Sequence, residues 1–248
     1  MNILAIDSSG LVASTAVMSD NIIKAEANTC NKLTHSETLM PMIDTVIRSS
    51  GLELGDMDHI AVACGPGSFT GLRIGCATAK GLAEAIGRTV IPVNTIDALA
   101  MNMYGFSGNI VPMIDARRNE AYTGIFRTAD TGLETVKEQC AIPLAQLIDM
   151  VNELGTRTVF LGDGADSFRD QIDKTCTVEH IYATPAQRLQ RAASVACLAA
   201  IYAGEGRAVD PALHAPIYLR STQAEREGAR AKTEAEKAAM AAGHVVRK

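Results

Sequence analysis

Aromatic residues and long apolar runs are scarce in this chain of 248 residues. It has no Trp, and aromatic residues make up 4% of it, so few rings are available to stack on nucleic-acid bases. Lys and Arg number 23 against 28 Asp and Glu, which disfavours direct nucleic-acid binding because phosphates need cations. The best apolar stretch, residues 192–203, is too short for a membrane-spanning helix, which needs about 20 residues. No signal peptide is predicted, because Asp7 interrupts the first apolar run.

Residue pairs with metal-binding or redox spacing are also missing. None of the six cysteines lies within three residues of another, so the chain has no CxxC motif. The five histidines include no i, i+3 or i, i+4 pair that could bind a metal from one helix face. Isolated cysteines in apolar runs are typical of buried thiols in a reducing compartment, which predicts a cytoplasmic protein. The absence of GxSxG and of GxxxxGK[ST] disfavours a serine hydrolase and a P-loop enzyme.

The pattern of apolar residues predicts three strands followed by alternating helices and strands. In chain order, the predicted elements cover residues 2–7, 12–18, 22–28, 36–50, 59–64, 71–86, 89–93 and 95–104. Gly51 and Gly87 stand where the first two helices should end. This β-β-β-α-β-α-β-α order is similar to the α/β ribonuclease-H-like fold of the actin, hexokinase and Hsp70 (ASKHA) superfamily.

An internal repeat supports two lobes of this kind. A shift of 108 residues aligns Ile6-Asp7 with Ile114-Asp115 without a gap, and each pair ends an apolar strand before a polar turn. We therefore predict an N-terminal lobe at 1–102, a C-terminal lobe at 103–220 with a helix at 187–203, and a charged, mobile tail at 221–248.

Two features near the ends of strands could bind an anion. Asp7 with Ser8 could face a phosphate or metal, or the carboxylate could simply cap its own turn. Segment 65–71 (GPGSFTG) joins a strand to a helix, and its exposed amides could bind an anion or could form a tight packing turn. The predicted nucleotide or anion pocket comprises Asp7, Ser8, Gly65, Gly67, Ser68, Thr70 and Gly71.

The helix after this loop has small residues on one face. Gly71, Gly75 and Ala79 recur at i, i+4 and i+8, which lets another helix approach closely. Met40 and Met42 on the preceding helix are typical of an adaptable contact surface. The small residues could face a partner protein, or they could pack inside the lobe against its own sheet.

Six segments resemble the bacterial TsaB (YeaZ) family. They are ILAIDSS, HSETLMPMI, GPGSFTGLRIG, IPVNTIDALA, MIDARRNEAY and PIYLR, at residues 3–9, 35–43, 65–75, 91–100, 113–122 and 216–220. The resemblance implies a subunit of the machinery that forms N6-threonylcarbamoyladenosine in tRNA. It also implies a transferase paralogue, TsaD, as partner, the ATPase TsaE as a further subunit, a homodimer when TsaD is absent, and contact with tRNA only through the complex.

The resemblance further implies that this chain is not the transferase and has no catalytic or metal-binding residues. TsaD holds its metal with an HxxxH pair, and the corresponding positions here are Thr95 and Leu99. No cofactor is expected, apart from weak ATP or ADP with Mg at the complex. The alternative is an ATP-binding small-molecule kinase or ATPase of the same superfamily. It would place Mg-ATP among Asp7, Ser68, Thr70 and Asp115.

The expected partner interface lies on the helices near 36–48 and 71–86. Its residues are His35, Leu39, Met42, Arg73, Gly75 and Ala79. On this hypothesis, Gly75→Leu blocks pairing and leaves the monomer folded.

Overall fold

The computed structural model describes residues 1–31 and 33–219, so the predicted tail at 221–248 lies outside the described residues. The first half of the chain forms one five-stranded sheet and three helices. In chain order these are β1 (Asn2–Asp7), β2 (Ala13–Ser19), β3 (Ile22–Thr29), α1 (His35–Ser50), β4 (His59–Gly65), α2 (Phe69–Ile86), β5 (Thr89–Asn94) and α3 (Thr95–Met101). Residues 54–56 form a short 3-10 helix between α1 and β4.

The first sheet has the strand order β3-β2-β1-β4-β5. Strands β1, β2 and β3 are antiparallel neighbours, whereas β4 and β5 run parallel to β1. Both faces of β1 are buried, because Leu4 and Ile6 pack with residues of α1 and α2 while Ile3 and Ala5 face the opposite layer. This explains why β1 is a continuous apolar run rather than an alternating one.

Local sequence signals set the ends of α1 and α2. The backbone N–H of Thr34 donates to the Glu37 carboxylate at 3.1 Å, which satisfies an amide just before α1. Gly51 and Gly87 follow the two helices with left-handed φ angles of 75° and 65°. Both predicted stops are confirmed, since glycine adopts this conformation without a Cβ clash.

The second half repeats the first. In chain order it contains β6 (Asn109–Asp115), β7 (Glu120–Thr128), β8 (Leu133–Pro143), α4 (Leu144–Leu154), β9 (Thr158–Leu161), α5 (Asp163–Ser167), α6 (Arg169–Thr175), β10 (His180–Tyr182) and α7 (Ala192–Gly204). Its sheet has the order β10-β9-β6-β7-β8, which repeats the order of the first sheet. The predicted ribonuclease-H-like architecture with two sheets is confirmed, and Asp7 and Asp115 end equivalent strands.

Helix α7 departs from the sequence analysis in both start and position. It begins at Ala192 rather than at 187, and it packs on Ile3 and Ala5 of the first sheet although it follows the second sheet in the chain. The helix is apolar on all sides, so it needs cover on several faces, and one apolar face of the first sheet covers it on one side. Strands β1 to β5 form the first sheet and β6 to β10 form the second, whereas α7 follows β10 in the chain and packs on the first sheet.

The N-terminus of α7 is fixed by groups from the first sheet. The backbone N–H of Ala192 donates to Ser14 Oγ at 2.6 Å, and that of Ala193 donates to Glu26 Oε1 at 3.2 Å. Glu26 also pairs with Arg191. These are tertiary contacts over more than 160 residues of sequence, so no local capping signal could reveal the start of this helix.

None of the helices in the described residues is long and apolar enough to cross a membrane.

Candidate functional site

The turn after β1 is held by the side chain of its own aspartate. Asp7 Oδ1 accepts hydrogen bonds from the Ser9 backbone N–H at 2.9 Å and from Ser9 Oγ at 2.6 Å. Ser8 Oγ donates to the Gly71 carbonyl at 2.8 Å. Asp7, Ser8 and Ser9 are all fully buried. The interpretation of Asp7 as a turn cap is therefore correct for its Oδ1 atom. The hydroxyl groups of Ser8 and Ser9 both donate to acceptors within the protein.

The glycine loop packs directly on this turn. A Cβ at Gly67 would overlap the Ser9 carbonyl, one at Gly71 would overlap the Ser8 carbonyl, and one at Gly75 would overlap Ser8 Oγ. In addition, the Ser68 backbone N–H donates to the Ser9 carbonyl at 2.7 Å. Three glycines spaced four residues apart thus let the start of α2 lie against the end of β1.

The residues of the predicted anion pocket do come together, but few of their polar groups face outwards. Gly65 is buried, and its N–H donates to Thr95 Oγ1 at 3.2 Å. Ser68 caps α2 by accepting from the Gly71 N–H at 3.3 Å. Ser68 and Thr70 are exposed at the mouth of the loop. The geometry therefore favours a packing turn, and anion binding at this loop stays a prediction.

Buried polar atoms without partners surround the same turn. Asp7 Oδ2 makes no hydrogen bond to any described residue, and burial raises the pKa of Asp7 to about 6. Gln190 lies against Gly10 and is 2% exposed, and its two amide atoms likewise have no partner in the described part of the chain. His35 Nε2 is 2.9 Å from the Gly10 carbonyl oxygen, so the first residue of α1 also belongs to this site.

Sequence reasoning did not assign Gln190 to the site, because this residue lies 180 positions from Gly10 in a segment without a motif.

Two cysteines near the loop are poor nucleophiles. Cys64 and Cys76 are buried beside the glycine loop and on α2, and burial raises the pKa of each thiol to about 12. A thiolate at neutral pH is therefore strongly disfavoured at both positions.

The predicted interface residues point in different directions. Leu39, Gly75 and Ala79 face the interior, since Leu39 and Ala79 are at most 1% exposed and Gly75 touches Ser8. The expectation that Gly75 and Ala79 form an exposed small face was therefore wrong. His35 and Met42 are half-buried, and Arg73 is exposed.

The outward face of α2 carries a different set of small residues. Ala77, Gly81 and Ala85 are exposed at the same four-residue spacing, displaced by two positions from the buried stripe. A Cβ at Gly81 would meet nothing within 4 Å. Met40 on α1 is 49% exposed. Periodicity alone could not separate the two stripes, because both consist of glycine and alanine at helical spacing.

The second lobe has a turn equivalent to that of Asp7. Asp115 Oδ1 accepts from the Arg117 backbone N–H at 2.7 Å, which repeats the cap after β1. Gly162 and Gly164 approach the end of β6 so closely that a Cβ at Gly162 would overlap the Met113 carbonyl. Both sheets therefore use a capping aspartate with glycines packed against the adjacent backbone.

Positions 95 and 99 lie in the packed interior of α3. Thr95 is fully buried and accepts the hydrogen bond from the Gly65 N–H, while Leu99 is 1% exposed. Leu99 packs with Ile96 and with Ile114 of the second sheet. Among the described residues, no group of three or more His, Cys, Asp or Glu could hold a metal ion.

Comparison with known proteins identifies the family. Residues 29–228 match the family described as "TsaD: tRNA N6-adenosine threonylcarbamoyltransferase". A Bacillus subtilis protein named tRNA threonylcarbamoyladenosine biosynthesis protein TsaB is 33% identical over 91% of this chain and 96% of its own length. This chain belongs to the TsaB (YeaZ) family. The Escherichia coli TsaB protein is 30% identical over 68% of this chain and 74% of its own length.

A solved structure agrees with the fold. The structure of YeaZ from Pseudomonas aeruginosa superposes with a TM-score of 0.74 at 24% identity, and covers 88% of this chain and 99% of that one. Within the TsaB fold, the segments 3–9 and 65–75 that carry the family resemblance form the turn and the loop that pack on one another. Segment 35–43 begins α1 and contributes His35 to the same place.

Proposed function

We propose that this chain is a non-catalytic subunit of the complex that forms N6-threonylcarbamoyladenosine in tRNA. Support comes from family membership and from the names of its relatives in Bacillus subtilis and Escherichia coli. In this proposal the chain docks on a TsaD-type transferase and supports it together with the ATPase TsaE. It contacts tRNA through the complex, since its net charge of −5 disfavours binding phosphates alone.

The observation that carries the proposal is the packing of Thr95 and Leu99. A transferase that uses a metal needs donor atoms at these positions, and Leu has none. Thr95 Oγ1 already accepts a backbone hydrogen bond, and Leu99 is in an apolar cluster that joins α3 to the second sheet. A metal ion there would have to displace buried packing, so we infer that catalysis belongs to the partner.

The outward faces of α1 and α2 are the proposed docking surface. Met40 supplies an adaptable apolar contact, and Ala77 and Gly81 allow a partner helix to approach closely. A stable complex of this kind is expected to bury about 1,200–2,000 Å² of total surface. In the absence of TsaD, the same faces of two copies would pair.

A nucleotide-dependent kinase or ATPase is the competing function. Against it, the Ser8 and Ser9 hydroxyls donate within the protein, and Asp7 is fully buried rather than open to a magnesium ion. We therefore propose that the isolated chain binds no cofactor tightly, and that ATP or ADP with Mg binds weakly at the complex.

Reconstitution with purified proteins tests this function. The chain alone, the transferase with TsaE, and all three proteins are incubated with threonylcarbamoyl adenylate and tRNA, and the modified nucleoside is measured by mass spectrometry. Modification is expected to need the transferase and to rise when this chain is added. Modified tRNA produced by the chain alone would contradict the proposal, and micromolar binding of Mg-ATP to the isolated chain would favour the kinase.

A further inference from the structure

Two connections join the two lobes, and one side chain ties them together. The first crossover, residues 102–108, leads from α3 to β6, and the second crossover, residues 183–191, leads from β10 to α7. Because α7 packs on the first sheet, the second crossover returns the chain from the second lobe to the first. A rotation of one lobe against the other would be absorbed by backbone changes at these two crossovers.

The Asn102 side chain, at the start of the first crossover, binds the second crossover and α7. Its Nδ2 donates to the carbonyl oxygens of Gln187 and Leu189 at 2.8 Å each, and its Oδ1 accepts from Ser194 Oγ at 2.6 Å. These are the distances of well-formed hydrogen bonds. Asn102 is half-buried, and its three partners lie 85 to 92 positions away in the sequence. The side chain therefore joins the two crossovers by tertiary contacts.

The second crossover is also fixed to a turn in each lobe. On the side of the second lobe, the Gly162 N–H donates to the Arg188 carbonyl at 2.7 Å, and the Arg188 guanidinium pairs with Asp166 at 2.9 Å. On the side of the first lobe, Gln190 is 2% exposed and lies against Gly10 in the turn after β1. A rotation between the lobes would therefore break the contacts of this crossover with one turn or the other.

We propose that Asn102 is an interlobe lock, which holds the second crossover against both turns and keeps the two lobes in one relative position in the isolated chain. Opening the lock would leave the Asn102 amide and two half-buried carbonyl groups to find new partners, which costs free energy. A partner that contacts both lobes would meet a preformed surface, so none of its binding free energy would be needed to order the lobes. The lock does not depend on the proposed function, because it uses no residue of the outward faces of α1 and α2.

The distance between spin labels on the two lobes tests the proposal in the full chain. The labels are placed at exposed positions, Thr45 on α1 and Gln146 on α4, through a ketone-bearing amino acid that leaves the free cysteines unlabelled. Electron paramagnetic resonance then measures the distribution of distances. We expect one narrow distribution in the chain with Asn102 intact, and a distribution at least about twice as broad in Asn102→Ala, because the lobes then sample several relative positions.

Asn102→Asp is a second variant that keeps the size of the side chain. It retains an acceptor for Ser194 Oγ, but it cannot donate to the Gln187 and Leu189 carbonyl groups, so it should broaden the distribution as well. This variant provides the test if Asn102→Ala does not fold, which circular dichroism shows. A loss of stability alone would leave the distances in the folded protein unchanged.

Asn152→Ala is the matched control, because Asn152 makes the same kinds of hydrogen bond within one lobe. Its Nδ2 donates to the Thr175 carbonyl at 3.0 Å, and its Oδ1 accepts from the Thr177 N–H at 2.8 Å. This variant should keep the narrow distribution. The proposal is wrong if the folded Asn102 variants keep it too, if the chain with Asn102 intact already gives a broad one, or if Asn152→Ala broadens it as much as Asn102→Ala.

Discussion

At the scale of single residues, Asp7 decides how the end of β1 responds to pH. One carboxylate oxygen accepts two hydrogen bonds from Ser9, but the other is buried without a partner among the described residues. Burial disfavours the charged form more than the hydrogen bonds favour it, so the pKa rises from 3.8 to about 6. The folded state therefore binds a proton in a pH range where the unfolded chain has released it.

This predicts that stability falls as pH rises through the folded-state pKa of Asp7. The favourable contribution is complete below pH 3.8 and is lost by about pH 6, and the two values correspond to about 3 kcal/mol at most. Asp7→Asn should remove this dependence, keep the acceptor for Ser9, and make the protein more stable than the unmodified chain at pH 8. Urea unfolding at pH 4.5 and pH 8 measures it.

Asp149→Asn is a suitable control, because Asp149 is an exposed carboxylate on α4. An equal response of both variants to pH would show that Asp7 is not the titrating group.

The glycine spacing around Gly75 correctly predicts close packing, but it does not identify the surface that α2 packs against. The spacing of Gly71, Gly75 and Ala79 indicates close packing, and close packing is present. The neighbour is the Ser8 turn of the same lobe rather than another protein. Burial decides between these alternatives, and burial depends on the sheet that α2 packs against.

At the scale of elements, α2 has an inner and an outer face that are both rich in small residues. On the inner face a leucine at Gly75 would overlap Ser8 Oγ and crowd Val62. On the outer face Gly81 has open space around its Cβ position. Substitutions on the inner face therefore test fold stability, and substitutions on the outer face test the proposed docking surface.

We predict opposite effects for leucine at these two glycines. Gly75→Leu should destabilise the protein by about 3 kcal/mol or more, through overpacking of a buried site. Gly81→Leu should leave the folded monomer intact, or stabilise it by up to about 1 kcal/mol through helix propensity, and should abolish binding to the TsaD-type transferase. Thermal unfolding and co-elution on size-exclusion chromatography measure the two effects.

Ala145→Leu provides the control for added apolar bulk, because Ala145 is exposed on α4 in the second lobe. It should bind the transferase normally. Co-elution of Gly81→Leu with the transferase would show that the outer face of α2 is not the docking surface.

Helix α7 illustrates an element whose existence was predictable and whose limits were not. Its apolar composition predicts a helix, and the helix is present. Its first residue depends on Ser14 and Glu26, which accept hydrogen bonds from its free N–H groups. Since those acceptors are on β2 and β3, the sequence around residue 190 holds no signal for this boundary.

At the scale of the whole molecule, the two sheets are related by repetition but not independent. Helix α7 follows the second sheet in the chain and covers the first, and α3 packs with Ile110 and Ile114 of β6. Residues 1–217 accordingly form one compact unit. One face of the first sheet is therefore covered only when α7 packs on it.

This predicts that residues 1–102 do not fold alone. Without α7, the first sheet exposes Ile3, Ala5, Ala16 and Met18, which form one apolar face. The fragment should bind the dye ANS and lack a cooperative unfolding transition. A chain that joins residues 1–102 to residues 190–217 through a flexible linker should recover cooperative unfolding by circular dichroism. Cooperative folding of the shorter fragment would show that α7 is dispensable for the lobe.

The sequence by itself determined the strand and helix order of the first half, the duplication and the glycine stops, because these follow from periodicity and from the conformational freedom of glycine at Gly51 and Gly87. It also placed Asp7 and Asp115 at equivalent turns. Tertiary structure alone decided which face of α2 is buried, that α7 covers the first sheet, and that Gln190 joins the Asp7 turn. These depend on contacts between residues far apart in the chain, and a pattern of local spacing carries no information on what lies opposite.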